Sequence, residues 1–413
     1  MLPRPGHDQE GETKLMNGDI LISGASVAGL ALAYWLRRYG FNPTVVERAP
    51  APREGGYAVD LRGAAREAAE RMGIMADVRR AHVGTRGLSY VNGANEPVAS
   101  MSSDLLGDSG GAIAEIEILR GDLIRILCAA ARDDIEYIFE DSLSSISQDE
   151  EGVRVTFERG EPRHFDLVVG ADGLHSKVRA LAFGDESRFV RDLGAYVSIF
   201  TTFNHLDLDG WELMYSTPGK TAAMYPARHN TEAKAMFFFA SEPFPYDRHD
   251  IGGQKKILAE AFAAEGWEVP RLLEAMWGAS DFYFDTVSQV HMDGWSSGRV
   301  VLVGDAGYCP SPMAGVGTSL ALVGAYVLAG ELAAGSGDYR RAFVRYQGEM
   351  SNYVKQGQKL AKGNATGLIP RSRLQIGIRN QVIRMLPYMP WKGLIAGGVQ
   401  KAANAISLKD YKG

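Results

Sequence analysis

Three times along the chain a short apolar run stops at a cluster of small residues, and a longer run with helical spacing follows. The first is "DILISGASVAGLALAYWLRR" (Asp19–Arg38), uncharged from Ile20 to Leu36, where "ILIS" gives way to the helix-compatible "LALAYWL". In the second, "HFDLVVGADGLHSKVR", an apolar strand at Leu167–Val169 runs into Gly170, Asp172 and Gly173. Ser176 then opens a helix carrying Lys177 and Arg179. In the third, "GRVVLVGDAGYCPSPMAGVGTSLALVGAYVLAGEL", a buried strand at Val300–Val303 ends at Gly304–Asp305. A Pro/Gly loop then leads to a long apolar helix starting near Gly315. Strand, small-residue turn and helix in that order predict βαβ units and an α/β fold.

The uncharged first stretch is close to the roughly 20 residues that a membrane-spanning helix needs. Gly24, Ala25, Ser26, Ala28 and Gly29 cluster at its centre, where a strand has to turn sharply, and this argues against a span. No secretory signal is expected, because a polar arm precedes the stretch and no small-residue cleavage site is seen. The arm, residues 1–17, reads as flexible, and the protein as cytoplasmic.

Beyond "ALAFGDES" the texture changes. "YVSIFTTF", "WELMYS", "TAAMYPA" and "AKAMFFFAS", between about residues 195 and 240, are short, aromatic and β-branched, and predict strands of a separate sheet. "GLSYVN" and "GAIAEIEI", within 86–117, are expected to add to it. Helical patterns follow at about 252–264 and 268–278, and "FYFDTVSQV" returns toward the first domain. The last 75 or so residues read as amphipathic helices, with Arg and Lys on one face and Leu, Ile, Met and Trp on another. The expected division is a nucleotide-binding domain from 18–85, 118–184 and 296–335, a substrate domain from 86–117 and 185–295, and a helical segment from 336–413.

Composition narrows the function. A chain of 413 residues, 46% hydrophobic, can fill two packed domains. A net charge of −6 with mixed signs argues against a nucleic-acid-binding surface. The two cysteines, Cys128 and Cys309, are far apart and lack metal spacing, so a reducing compartment is expected rather than a disulfide framework. Eight scattered histidines without an HxxxH pair predict no zinc site.

The first turn, G-A-S-V-A-G (Gly24–Gly29), matches the dinucleotide fingerprint G-x-G-x-x-G with Ser26 at the middle glycine. The first glycine permits the turn, a small middle residue lets a pyrophosphate approach the backbone, and the last allows close helix–strand packing. The helix beginning near Val27 would aim unpaired N–H groups, Ala28 among them, at the phosphates. A second strand, "FNPTVVERA", ends at Glu47, 23 positions after Gly24, where a carboxylate would hold ribose hydroxyls. Alone, the motif does not separate FAD from NAD, and an ordinary strand–helix turn stands as its alternative.

Taken together and in this order, the three segments resemble the single-component FAD-dependent aromatic hydroxylases and monooxygenases with the p-hydroxybenzoate hydroxylase fold. The phrasing around "GGYAVDLRG" is closest to the tetracycline-modifying monooxygenases. The resemblance covers about Asp19 to Arg345. It implies a Rossmann-like FAD-binding domain with a β-sheet substrate domain and C-terminal helices that brace the two. It also implies that Gly24, Ser26 and Gly29 form the ADP-binding turn, Glu47 is the ribose carboxylate and Arg48 flanks the adenosine. Gly56 would let the chain pass a planar ring. Arg120 matches the arginine set against the phosphate–ribityl chain, Asp172 and Gly173 the element tied to FAD and NADPH, and Asp305 the aspartate on a ribityl hydroxyl. Pro312, Gly315, Val316 and Gly317 match the loop beside the flavin ring. Departures are Tyr308 and Cys309 in place of a frequent His and a small residue, Ser319 for Asn, and Gly324 for Asp.

The implied activity consumes NADPH or NADH and O2, and hydroxylates an aromatic, phenolic or polyketide-like molecule through a flavin C4a-hydroperoxide. A non-oxygenating flavin oxidoreductase of the same fold is the alternative. With flavin-centred chemistry no side-chain nucleophile and no metal are expected. Arg62 is either a contact to flavin or substrate or a solvated charge at a helix start. Met214, Tyr215, Met224 and Pro226 are the expected pocket-lining residues, although at period two about half of such strand residues face away from any cavity. His175, His229 and His291 lie outside any constellation and read as structural.

Overall fold

The computed structural model describes residues 18–52, 55–103, 116–131, 135–336, 338–389 and 392–411. The expected arm at 1–17 and the first part of "GAIAEIEI" lie outside them.

A six-stranded sheet forms the base of the first domain, in the order Ser296–Ser297, Val300–Leu302, Leu167–Gly170, Asp19–Ser23, Asn42–Glu47 and Glu136–Phe139. Its ladders are parallel except for the short edge hairpin formed by the first two strands. Ile20, Leu21, Ile22, Val168 and Val169 are fully buried, because a parallel sheet is covered on both faces and its strands read as continuous apolar runs. One face carries the helices Val27–Arg38 and Gly317–Ala334, which pack on each other. The second of these is long and apolar enough to cross a membrane, yet 78% of it is buried in this core.

The other face is covered by a meander of Leu143–Gln148, Val153–Phe157 and Arg163–Phe165, through Val153, Val155 and Phe157. These strands are short and half polar, and the apolar pattern does not announce them.

The second sheet has seven strands, in the order Tyr283–Val290, Val190–Thr202, Glu232–Ala240, Lys220–Ala227, Trp211–Thr217, Gly87–Val91 and Pro97–Ser102. Its back face buries Phe200, Met224 and Phe237 under the helices Ile251–Phe262 and Val269–Gly278. From its front face Val197, Ile199 and Phe238 join the core of the first domain. Between the sheets runs a two-stranded ribbon, Ala58–Asp60 with Glu117–Leu119. The described end of "GAIAEIEI" therefore pairs outside the seven-stranded sheet, contrary to expectation.

The helix Tyr339–Leu368 lies along Gly317–Ala334, and Arg373–Met385 lies on the strand Pro97–Ser102, so the C-terminal helices touch both halves. The tail returns to the first domain, where Lys409 Nζ and Tyr411 Oη donate to the buried Glu331 Oε1 at 2.9 and 2.8 Å.

Candidate cofactor cleft and active site

The three turns end adjacent parallel strands. Ala171 N donates to Ser23 O at 2.8 Å, and Val303 N to Gly170 O at 2.9 Å. Contact between the turns is close enough to require glycine. Gly24 has φ +111°, and a Cβ there would lie 2.6 Å from Ala171 O, while one on Gly29 would lie 1.9 Å from Gly24 O. A Cβ on Gly304 would lie 3.0 Å from Ala28 Cβ. The first, second and third turns thus meet outside the carboxyl ends of the strands, where open α/β sheets bind ligands.

At the first turn Ser26 is extended and its side chain makes no capping bond to the helix it precedes. The first-turn N–H groups after Val27 and Ala28, with the positive end of the dipole, are thus left for an anion. Glu47 holds the turn from outside, accepting from Ala25 N at 2.9 Å and Ala49 N at 3.0 Å. Arg48 is exposed at the strand end.

Arg120 begins the helix Arg120–Ala130, and its backbone N donates to Tyr57 O at 2.9 Å. Its guanidinium carbon sits 5.8 Å from the Tyr57 ring centroid, and its Nε is buried without a hydrogen-bond partner. A Cβ on Gly56, where φ is +135°, would come within 2.9 Å of that Nε. A buried donor left unpaired costs about 1–3 kcal/mol. A phosphate or sugar oxygen is an acceptor of the kind that this position suits.

Asp305 is open to solvent, yet surrounding protein raises its carboxyl, with a Cys309 hydrogen bond and the Arg120 charge opposing. It therefore sits on the floor of a deep cleft. Pro312 and Gly315 are also exposed there, while Val316 is buried behind them. The loop passes between two carboxylates: a Cβ on Gly317 would lie 3.9 Å from Asp305 Oδ1, and one on Gly315 3.6 Å from Asp60 Oδ2. Asp172 is turned into its own helix, accepting from Ser176 Oγ and from Val178 N at 3.0 Å. What the second turn offers the cleft is the open backbone of Gly173, with nothing within 4 Å of a Cβ.

Arg62 is not a solvated charge. It is 5% exposed and ion-paired to Asp60 Oδ2 at 2.8 Å, and its N donates to Ser319 Oγ at 3.2 Å. Ser319 Oγ in turn donates to Asp60 O at 3.3 Å, so Ser319 fastens the Asp60–Arg62 corner to the helix Gly317–Ala334. Tyr308 and Gly324 are one compensated exchange. A Cβ on Gly324 would lie 2.1 Å from the Tyr308 hydroxyl, which bonds Tyr346 Oη at 2.9 Å.

On the seven-stranded sheet, register sorts the expected pocket residues. Met214 pairs with Ala223 and lies in a cluster with Leu88 and Tyr90 on the front face. Met224 is fully buried in the back core, and Tyr215 stacks on Trp267 at 5.9 Å on the same side. Pro226 shares the parity of Met224. Tyr215, Met224 and Pro226 therefore do not line the cleft, because a period-two strand sends alternate residues behind the sheet.

Other residues, which pattern reading missed, gather where the front face meets the Ala58–Asp60 ribbon. Tyr225 Oη accepts from Ala58 N at 3.0 Å. Glu212 has the same parity as Met214, and Glu117, which accepts from Thr85 Oγ1, stands opposite Asp60 on the ribbon. Burial and then repulsion from Asp60 hold the Glu117 carboxyl up to about 7, and burial with repulsion from Glu117 and Asp60 holds the Glu212 carboxyl up to about 8. Asp60 is raised by burial against the pull of Arg62. The one legible signal was a lone Glu inside the apolar run "WELMYS".

His175 bridges the domains. Its Nδ1 lies 3.0 Å from Glu186 Oε1 and its Nε2 3.1 Å from Asp285 Oδ1, on the outer strand of the second sheet. Burial disfavours its charge, but the Asp285 and Glu186 carboxylates outweigh this and raise its pKa. Asp285 also accepts from Tyr283 Oη at 3.2 Å, and the Tyr283 ring lies 6.3 Å from Tyr57 at the cleft. His229 and His291 are exposed.

The FAD binding domain family matches residues 17–343. An uncharacterised protein of Mycobacterium tuberculosis (strain ATCC 25618 / H37Rv) is 46% identical over 354 residues, 85% of this chain and 94% of that protein. A protein named flavin-dependent monooxygenase, from an unknown prokaryotic organism, is 40% identical and covers 95% of this chain and 98% of its own length. The crystal structure of the tetracycline destructase Tet(55) superposes with a TM-score of 0.81 at 38% identity, covering 96% of this chain and 99% of that one. The chain belongs to the FAD-dependent monooxygenases of the p-hydroxybenzoate hydroxylase fold. Within that family it is similar to the tetracycline destructases.

Proposed function

We propose that this monooxygenase hydroxylates an aromatic, phenolic or polyketide-like small molecule in the cytoplasm, with NADPH or NADH as electron donor. One oxygen atom of O2 would enter the product and the other would leave as water. Bound FAD supplies the redox chemistry and the activation of O2. The residues of the cleft fit it. The helix start after Ser26 and the unpaired Arg120 Nε receive the pyrophosphate, Glu47 the adenosine ribose and Asp305 the ribityl hydroxyls. Backbone N–H groups at the start of the helix Gly317–Ala334 would favour negative charge on the ring.

The observation that carries this reading is the meeting of three glycine turns beside a guanidinium whose buried Nε has no partner. The substrate side would be the front face of the seven-stranded sheet beside the ribbon. Glu212 and Glu117, with carboxyls held near neutral pH, can each give or take a hydrogen bond from a hydroxyl and orient the ring bearing it. Similarity to tetracycline destructases makes a fused-ring polyketide the first compound to try. The test mixes the purified holoprotein with NADPH or NADH and a panel of tetracyclines and phenols, following O2 uptake and product mass. Uptake stimulated by a substrate that gains one oxygen atom is expected. Oxidation of the substrate without that gain would replace oxygenation by the non-oxygenating alternative.

A further inference from the structure

We propose that the helix Arg373–Met385 is an interfacial helix that seats this enzyme on an anionic lipid surface. Its two sides are apolar for different reasons. The inner side packs on the second sheet: Ile383 joins Leu88, Tyr90 and Met214, and the Arg379 guanidinium lies 3.7 Å from the Tyr90 ring centroid. The outer side carries Leu374 (72% exposed), Ile378 (55%), Val382 (40%) and Met385 (47%), and Tyr388 (86%) follows the helix. At 3.6 residues per turn the four helical positions fall within an arc of roughly 80°, opposite Ile383. Among the described residues nothing buries this stripe, and leaving it in water is unfavourable.

Charge selects the occupant. From residue 350 to 409 the sequence holds six lysines and four arginines and no aspartate or glutamate, in a chain of net charge −6. Arg373 and Arg384 are exposed beside the stripe, and Lys355, Lys359, Arg371 and Lys401 are exposed on the flanking C-terminal segments. An apolar stripe flanked by cations is the pattern of helices that lie in the plane of a bilayer, with the cations drawn to anionic headgroups. A second copy of the chain docked stripe to stripe would set these cations against one another. On a lipid surface the same helix would hold the front of the substrate sheet beside the bilayer, where a hydrophobic substrate concentrates.

The test is flotation of the full-length holoprotein with vesicles of phosphatidylcholine alone or mixed with phosphatidylglycerol. At low salt at least tenfold more protein should float with the anionic vesicles, and salt at about 0.5 M should reduce this. Ile378→Glu/Met385→Glu should lose the binding, and Arg373→Glu/Arg384→Glu should lose the preference for anionic lipid, both with unchanged flavin content. If the glutamate pair fails to fold, Ile378→Ser/Met385→Ser serves for the same readout. Equal flotation of parent and variants overturns the proposal. So does a parent dimer in sedimentation velocity that Ile378→Glu dissociates, which assigns the stripe to a second copy.

Discussion

At the residue scale, Arg120 gives the sharpest test of the proposed cofactor site. Its Nε is buried and unpaired, so a hydrogen bond from it to a cofactor oxygen replaces no bond already made within the chain. Charged hydrogen bonds are worth about 1.5–3 kcal/mol, so Arg120→Ala should weaken FAD binding roughly tenfold to a hundredfold. Equilibrium titration followed by flavin fluorescence checks this, and an unchanged Kd would place the cofactor elsewhere. Glu212 makes a different prediction. Gln keeps its shape and its capacity to donate but cannot titrate, so Glu212→Gln should flatten the dependence of kcat/KM on pH between about 6 and 9. The value at the acid end should stay near the parent's, and FAD affinity should not change. A parallel loss at every pH would give Glu212 a purely steric role.

At the scale of elements, the strand–turn–helix units were legible because each couples a change of hydrophobic period to glycines that contact forbids replacing. Gly24 and Gly29 show this, since each would place a Cβ inside a neighbouring carbonyl. The side chains on the front face of the seven-stranded sheet were legible only in part. Parity along "WELMYS" and "TAAMYPA" was visible, but which parity faced the first domain depended on elements distant in the sequence. Tyr215 and Met224 were therefore expected on the wrong face. Glu117 and Asp60 were hidden for another reason: they meet across a ribbon whose strands lie about 60 residues apart, and no local pattern joins them. The Tyr308–Gly324 exchange also needed coordinates, because two departures that looked independent occupy one volume. Overpacking costs about 1–3 kcal/mol, so Gly324→Ala should lower stability by that order. Combining it with Tyr308→Phe, which removes the blocking hydroxyl, should recover most of the loss. Thermal melts of the double-mutant cycle measure the coupling.

For the molecule as a whole, pH acts through raised pKa values on both sides of the domain boundary. The folded chain keeps protons on Glu117 and Glu212, held up to about 7 and about 8, which unfolded glutamates release in the ordinary carboxylate range. This contribution is full at pH below that range and is lost as pH rises toward 8. His175, raised by its two carboxylates, acts with the same sign: its bridge is fully formed below the ordinary histidine value and is lost as pH climbs past the raised one. Melting temperature should therefore fall between about pH 5 and pH 8.5. His175→Gln should remove most stability at the acid end of that interval and least at the alkaline end. A variant penalty that does not change with pH would show that His175 holds the domains by packing alone.

The central claim is that one extended cofactor lies across the three turns, its pyrophosphate at the start of the first helix and its ring beside the last loop. A crystal structure of the protein saturated with FAD tests this most directly. The account predicts phosphate density within hydrogen-bond reach of the amides after Ser26 and of Arg120, ribityl density at Asp305, and the ring against Gly315–Gly317. FAD bound away from these turns, or no FAD at saturating concentration, would contradict it.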